Sequence, residues 1–177
     1  MEERKTQKCW LDAGLQTLAS AGPDGLRIMS IAEKLGVTKG SFYWHFKNLE
    51  EYQLAVLGQW ELSHTQQIID YVEHAGGEAQ AKLYNLLAAT VSSDFSLSRA
   101  IRSWSLANRN VQEVQARVDQ KRIEYAAKLL RAAGWSKDEA ATLGRWGYCA
   151  LIGYSELPGL ALTEKQLRLI LAAWIPR

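Results

Sequence analysis

The chain has 177 residues, 47% of them hydrophobic and 23% charged, and a formal net charge of +2. That balance belongs to an ordinary soluble globular protein; it excludes a disordered or fibrous chain, and also one basic enough to hold nucleic acid by net charge alone. Prolines number only 3, which favours long helices because proline breaks helix interiors, and Cys9 and Cys149 lack metal-ligand spacing and read as reduced thiols in the core or at its margin.

The first residues, Met1-Glu2-Glu3-Arg4-Lys5, carry charge and no apolar core, unlike a secretory leader. No run approaches the ~18 apolar residues of a membrane span, so the expectation is a cytoplasmic protein without a membrane partner. Leu11, Leu15, Leu18 and Ala19 recur at three and four, which predicts an amphipathic helix over residues 8–21. Gly22-Pro23-Asp24-Gly25 stops it. Ile28, Ile31, Ala32 and Leu35 predict a short second helix closed by Gly36, a residue suited to the left-handed conformation of a sharp turn. Thr38 is placed to cap a third helix over residues 39–46 through its hydroxyl.

Beyond Lys47-Asn48 a long helix is expected from 49 to about 74, ended by Gly76-Gly77. Helices over 78–91, 96–108 and 110–133 follow, the last carrying Val111, Val114, Val118, Tyr125, Leu129 and Leu130 on one stripe. Ser136 with Glu139 has capping-box spacing and opens a helix to about 157. Pro158-Gly159 breaks the chain, and Thr163 starts the final helix. The expected fold is all-α with about nine helices. A three-helix N-terminal domain over residues 1–47 precedes a larger helical domain over 48–177.

Residues 27–46 supply the parts of a helix-turn-helix in order: a scaffold helix, a tight turn and a recognition helix. Small Ala32 sits where two helices must approach, and Phe42 and Phe46, four apart, face inward. From Lys34 to Asn48 there are Lys34, Lys39, Lys47 and His45 but no Asp or Glu. Three aromatics and a histidine in four consecutive positions, Tyr43 to Phe46, cannot all face one side of a helix. Ile31-Ala32-Glu33-Lys34-Leu35-Gly36-Val37-Thr38-Lys39-Gly40-Ser41-Phe42-Tyr43-Trp44-His45-Phe46-Lys47-Asn48-Leu49-Glu50-Glu51 resembles the signature of the tetracycline-repressor (TetR) family, and Trp10-Leu11-Asp12-Ala13-Gly14-Leu15 resembles that family's first helix. The resemblance covers roughly residues 8–57 and implies a homodimeric transcriptional regulator, most often a repressor, released from double-stranded operator DNA by a small effector. It implies no enzyme activity and no cofactor.

The expected DNA contacts are Thr38, Lys39, Gly40, Ser41, Tyr43, Trp44, His45 and Lys47: hydroxyls, ammonium groups, an imidazole and flat rings, the groups that meet phosphates and base edges. Trp44 either presses on sugar or a thymine methyl or packs on the first helix. The sequence departs from the family pattern in two places. Arg27 stands where Ser or Thr commonly caps the second helix, as a phosphate contact or a solvated side chain. Tyr52 and Gln53 replace common apolar residues, which leaves the start of the fourth helix open.

An apolar or aromatic effector is expected near Trp60, His64, Trp104, Tyr125 and Trp146, where flat rings either fill a core or line a pocket. Arg102, Asp119 and Arg122 are candidates for an ion pair, buried or at the surface. The dimer interface is expected on the last two helices, at Leu143, Gly147, Ala150, Leu151, Tyr154, Leu167, Ile170, Leu171 and Trp174. Gly144, Gly147 and Gly153 would let backbones approach across a two-fold axis. Competing readings are a helical adaptor without DNA binding and a bundle metalloenzyme. The second has one Glu-x-x-His, Glu61 to His64, where such sites need two, so no metal is expected.

Overall fold

The computed structural model describes residues 5–157 and 159–175, so the charged first four residues and the break at Pro158 lie outside the described residues. Among these the chain is helical throughout, without a strand. The elements are α1 (Gln7–Ala21), a 3-10 turn (Pro23–Gly25), α2 (Ile28–Leu35), α3 (Lys39–Phe42), α4 (Leu49–Glu61), a π-helical turn (Leu62–Gln66) and α5 (Gln67–Ala75). They continue as α6 (Ala79–Val91), α7 (Ser96–Ser105), α8 (Arg109–Ala132), α9 (Lys137–Glu156) and α10 (Glu164–Trp174).

The expected ends hold closely where a cap is present. Ser136 accepts from Glu139 N–H and Glu139 answers to the Ser136 backbone, and Thr163 makes the same reciprocal pair with Gln166. Asn48 accepts from Glu51 N–H at 2.8 Å and starts α4, which settles the start that Tyr52 and Gln53 left open. The run 49–75, expected as one helix, is interrupted by the π-helical turn, a one-residue expansion of the helical ring that periodicity does not report.

The chain forms two compact units: residues 1–62 with 95–115, and residues 63–94 with 116–177. This division differs from the expected boundary after residue 47. In the first unit α1 packs on α2, α4 and α7. Gly14 permits the closest approach: a Cβ there would lie 2.5 Å from the Tyr52 hydroxyl and 2.7 Å from Val56 Cγ2. Trp10, Phe42, Phe46 and Tyr52 form one buried aromatic cluster, with Trp10–Phe42 centroids 5.4 Å apart and Phe46–Tyr52 centroids 4.9 Å apart, both edge-to-face. Tyr52 keeps its ring in this core while its hydroxyl donates to the Trp10 carbonyl at 2.7 Å, and burial pushes that phenol far above its ordinary range. An apolar residue common at this position is thereby replaced without orphaning the hydroxyl.

In the second unit Val72, Leu83, Tyr125, Leu129, Leu130 and Ala140 make the core. Partly buried Leu143, Leu171 and Trp174 pack against it. Gly144 lets α9 lie close on α8, since a Cβ would meet Ala127 N at 3.1 Å and the Ile123 carbonyl at 3.2 Å. Gly147 lies directly under the Trp174 ring, whose backbone carbonyl accepts from Trp135 Nε1 at 2.7 Å. Several residues expected at the interface also pack inside the chain: Leu143, Gly147, Leu167, Leu171 and Trp174 take part in the contacts of α10 with α9 and α6. Of the three glycines only Gly153 faces open space. Ala150 is exposed, while Leu151, Tyr154 and Ile170 are half-buried. The apolar face left open on α9 is Trp146, Ala150, Gly153 and Leu157, and on α10 it is Leu169. Cys149 is also exposed there, against the expectation of a core or margin thiol, whereas Cys9 is half-buried.

Candidate nucleic-acid interface

The α2–α3 turn follows from two local choices. Gly36 takes φ 68° and ψ 33°, and the turn closes with Gly36 N–H on Glu33 O and Val37 N–H on Ala32 O, each at 3.0 Å. Buried Ala32 leaves room for the crossing of α2 and α3. Thr38 stands at the N-cap of α3 in extended conformation, but its hydroxyl makes no capping bond, so the position was legible and the mechanism was not. Arg27 likewise occupies the N-cap of α2 without a side-chain bond and is exposed.

α3 itself is shorter than expected. Regular helix ends at Phe42, and one further turn follows through His45 N–H and Phe46 N–H on the Phe42 carbonyl at 2.9 and 3.0 Å. This tightening turns Phe42 and Phe46 into the core and drives their neighbours outward. Tyr43 is 52% exposed and Trp44 74% exposed. The Trp44 indole is therefore largely open to solvent. Thr38, Lys39, Gly40 and Lys47 are also exposed, and Ser41 is half-buried. A side chain at Gly40 would meet only Thr38 Oγ1 at 3.6 Å, so the backbone there is open to a close partner.

His45 behaves differently. It is half-buried, and its Nε2 lies 2.9 Å from the carbonyl oxygen of Lys5, ahead of α1. Sequence reasoning missed Lys5 altogether; the two residues are 40 apart and no local pattern links them. Lys34, counted among the basic residues, reaches Thr17 Oγ1 of α1 at 3.4 Å.

The five expected effector residues are divided. Trp60 and Trp104 belong to the first unit and are buried; His64, Tyr125 and Trp146 belong to the second. Trp146 is 72% exposed and lines no interior site, because α9 turns Ala140, Gly144 and Tyr148 inward and leaves position 146 on the other side. Tyr125 is a core residue. His64 sits in the π-helical turn, with Nδ1 2.8 Å from Ser63 Oγ. Burial, then the neighbouring Arg122 charge, lowers its pKa against an opposing pull from Asp94. Arg122 anchors this turn: its Nε donates to Thr65 Oγ1 at 3.0 Å, Nη2 to the His64 carbonyl at 3.1 Å and Nη1 to Tyr148 Oη at 3.3 Å. The Tyr148 hydroxyl in turn donates a hydrogen bond to Asp119 Oδ1 at 2.7 Å. Tyr148 thus touches both Arg122 and Asp119, two of the three residues read from sequence as ion-pair candidates. Among the described residues no three His, Cys, Asp or Glu side chains gather as a metal set, and no helix is long and apolar enough to cross a membrane.

A groove of about 180 Å³ lies in the first unit, lined by Leu54, Leu57, Trp104 and Val111 with Glu50, Gln53, Asn108 and Asn110. Asn110 Nδ2 donates to Glu50 Oε1 at 2.9 Å on its rim. It touches one of the five expected residues, Trp104.

Residues 11–51 match the family model described as bacterial regulatory proteins, tetR family. Over 56 residues the chain is 38% identical to an uncharacterized HTH-type transcriptional regulator, TtgW, of Pseudomonas putida, a match spanning 32% of this chain and 42% of that protein. Over 45 residues it is 40% identical to the class D tetracycline repressor protein of Escherichia coli, spanning 25% of this chain and 21% of that one. The curated relatives are thus matched over less than half their length. A crystal structure of a TetR transcriptional regulator from Legionella pneumophila shares the fold, with a TM-score of 0.81 at 16% identity over 99% of this chain and 100% of that one. Residues 11–51 thus carry the signature of the tetR family of bacterial regulatory proteins, and the chain shares the fold of a solved TetR regulator.

Proposed function

We propose that this protein is a cytoplasmic DNA-binding transcriptional regulator that acts as a two-fold dimer, each subunit placing residues 39–46 in a major groove of operator DNA. The observation that carries the reading is the sorting of one short helix: Phe42 and Phe46 are buried while Lys39, Tyr43, Trp44 and Lys47 stand exposed. A recognition helix needs that arrangement, with its hydrophobic side holding it to the scaffold and flat and cationic groups meeting DNA. Residues 1–47 are the reading head in this proposal, and residues 48–177 carry sensing and pairing. Selection of bound fragments from random duplex DNA tests it. A palindromic site should emerge, since a two-fold protein reads two half-sites; no enrichment over non-specific binding would refute the reading.

Pairing is proposed through the open apolar face of α9 and α10, at Trp146, Ala150, Gly153, Leu157 and Leu169. A self-complementary patch of this kind is what a two-fold interface requires. Repression relieved by a small, largely apolar effector is the proposed mode of control. An effector that favours the state with weaker DNA affinity lowers occupancy in proportion to its preference. The groove beside Trp104 supports this reading, having an apolar floor and a polar rim. Its volume suits a small molecule bearing a hydrogen-bond donor for Glu50.

A further inference from the structure

We propose that the groove beside Trp104 binds a small organic cation, a protonated amine on a short apolar body, with its ammonium group paired to Glu50. This ligand class rests on the effector reading above and deepens it at the same site.

The lining sets the charge of the ligand. Among the described residues that line the groove, Glu50 carries the one formal charge, and the polar groups beside it are amides. Arg109, next to Asn110 in the chain, is turned to Glu113 instead, with Nε 3.3 Å from its carboxylate. An anion would meet a carboxylate with no lining cation to offset it. A neutral apolar molecule would cover that carboxylate without replacing its water. A cation removes both penalties. Asn110 Nδ2 donates to Glu50 Oε1 at 2.9 Å, which steadies the carboxylate from one side and leaves Oε2 to a further donor. Asn108 Oδ1 is taken by Val111 N–H at 3.2 Å, so Gln53 and Asn110 supply the amide oxygens. A primary ammonium group has three donors and no acceptor, which matches a rim of carboxylate and amide oxygens.

The floor sets the body and its size. Leu57, Trp104 and Val111 are buried, and Leu54 is exposed. Glu50, Leu54 and Leu57 lie on one face of α4 at four- and three-residue steps, so that face runs from charged to apolar. The groove holds about 180 Å³. That is the liquid volume of roughly six waters and falls below the ~300–1,000 Å³ of pockets for drug-sized ligands, so the body is a short alkyl chain or a single ring. Its two sides come from the start of α4 and the start of α8, both within the compact unit that also holds α1, α2 and α3. A bound amine would thus join α4 to α8 inside the unit that carries the proposed reading helix.

The test is a titration of the full-length, DNA-free protein at neutral pH and constant ionic strength with three probes of similar shape: benzylammonium, benzyl alcohol and benzoate. Binding is followed by NMR through the side-chain amide signals of Gln53 and Asn110 and the indole N–H of Trp104. Benzylammonium should shift these signals saturably at millimolar concentration. It should bind about tenfold more tightly than benzyl alcohol, the difference between a charge-assisted and a neutral hydrogen bond, and benzoate should bind more weakly than either. Glu50→Gln keeps the shape of an exposed side chain; it should lower benzylammonium affinity by about tenfold and leave benzyl alcohol unchanged. Glu51→Gln, at the neighbouring acid outside the lining, should change neither. The proposal is overturned if the alcohol binds as well as the ammonium, if Glu50→Gln binds benzylammonium like the parent, if Glu51→Gln loses as much as Glu50→Gln, or if the groove signals show no saturable shift. Operator affinity with and without benzylammonium is a separate measurement. Binding in the groove with no loss of operator affinity would support this site and refute effector control through it.

Discussion

Lys39 and Lys47 are both exposed lysines on the proposed reading surface, yet their removal should have different consequences. Lys39 is at the first turn of α3, where a side chain reaches base edges. Lys39→Ala should relax preference at one base pair, by about 1–3 kcal/mol of discrimination. Lys47 lies past the last turn and is placed for phosphate, so Lys47→Ala should weaken all duplexes alike and lower the salt slope by about 0.9. Binding titrations against single-base operator variants at two or more salt concentrations separate the two. Trp44→Ala should leave thermal stability within about 0.5 kcal/mol of the parent, since surface changes seldom cost more, while reducing operator affinity; a large fall in stability would show that the indole belongs to the core. Much of this surface was readable beforehand, because the alternation of inward Phe42 and Phe46 with outward groups is a matter of helical period. The state of His45 was not readable, because a backbone carbonyl far away in sequence has no side-chain signature.

Single elements carry their own consequences. α1 and α4 touch through Gly14, so Gly14→Leu should unfold or strongly destabilise the first unit, overpacking of a tight contact costing about 1–3 kcal/mol or more. Gly153→Ala should be tolerated, since nothing lies within 4 Å of the added carbon. Urea denaturation of the two variants makes the comparison. The π-helical turn at Leu62–Gln66 depends on the Arg122–Tyr148–Asp119 network. Tyr148→Phe removes two hydrogen bonds, one with Arg122 and one with Asp119, while Arg122 keeps Thr65 and the His64 carbonyl, and should cost roughly 0.5–1.5 kcal/mol for each bond lost. In the same turn burial and the Arg122 charge hold the pKa of His64 below its ordinary 6.5. The unfolded chain therefore binds the proton more readily, and stability is full above about pH 6.5 and declines as pH falls toward the lowered value. His64→Asn should flatten that decline in urea melts between pH 7 and 5; an equal decline would place the proton elsewhere.

For the whole molecule, the proposed pairing and the acid limit of stability can be tested together. Trp146→Arg, on the open face of α9, should convert the dimer to a folded monomer by sedimentation at micromolar concentration while helicity is retained. Leu171→Arg, aimed at the core instead, should cost folding. Glu73 joins Lys82 and Lys128, the latter at 2.8 Å. Hydrogen bonds from Lys128 and then Lys82 pull its pKa from 4.5 down to about 2. A carboxylate lowered on folding adds stability that is fully present above its ordinary value and lost as pH falls through the folded one, so acid unfolding should lose a component between about pH 4.5 and 2. Glu73→Gln should remove that component in melting curves across the window; an unchanged acid limb would show that other carboxylates set it.

The helical order, the capped helix ends at Ser136 and Thr163, the glycine turn at Gly36 and the inward pair of Phe42 and Phe46 follow from local residue patterns. Each of these is decided by atoms within one or two turns of the chain, where spacing and residue type are enough. Which apolar stripe of α9 lies inside depends instead on long-range packing. Leu143, Gly147 and Trp146 look alike in a periodic pattern, and what separates them is that Trp174 returns from the end of the chain to cover Gly147. Tertiary packing also decided that residues 49–62 and 95–115 join the N-terminal helices, the first through Tyr52 and Val56 seated against Gly14 and the second through α7 packed on α1. It decided, too, that Tyr148 reaches both Arg122 and Asp119. Such contacts depend on how distant helices pack, and packing is set by the shapes of side chains that have no local mark in the sequence.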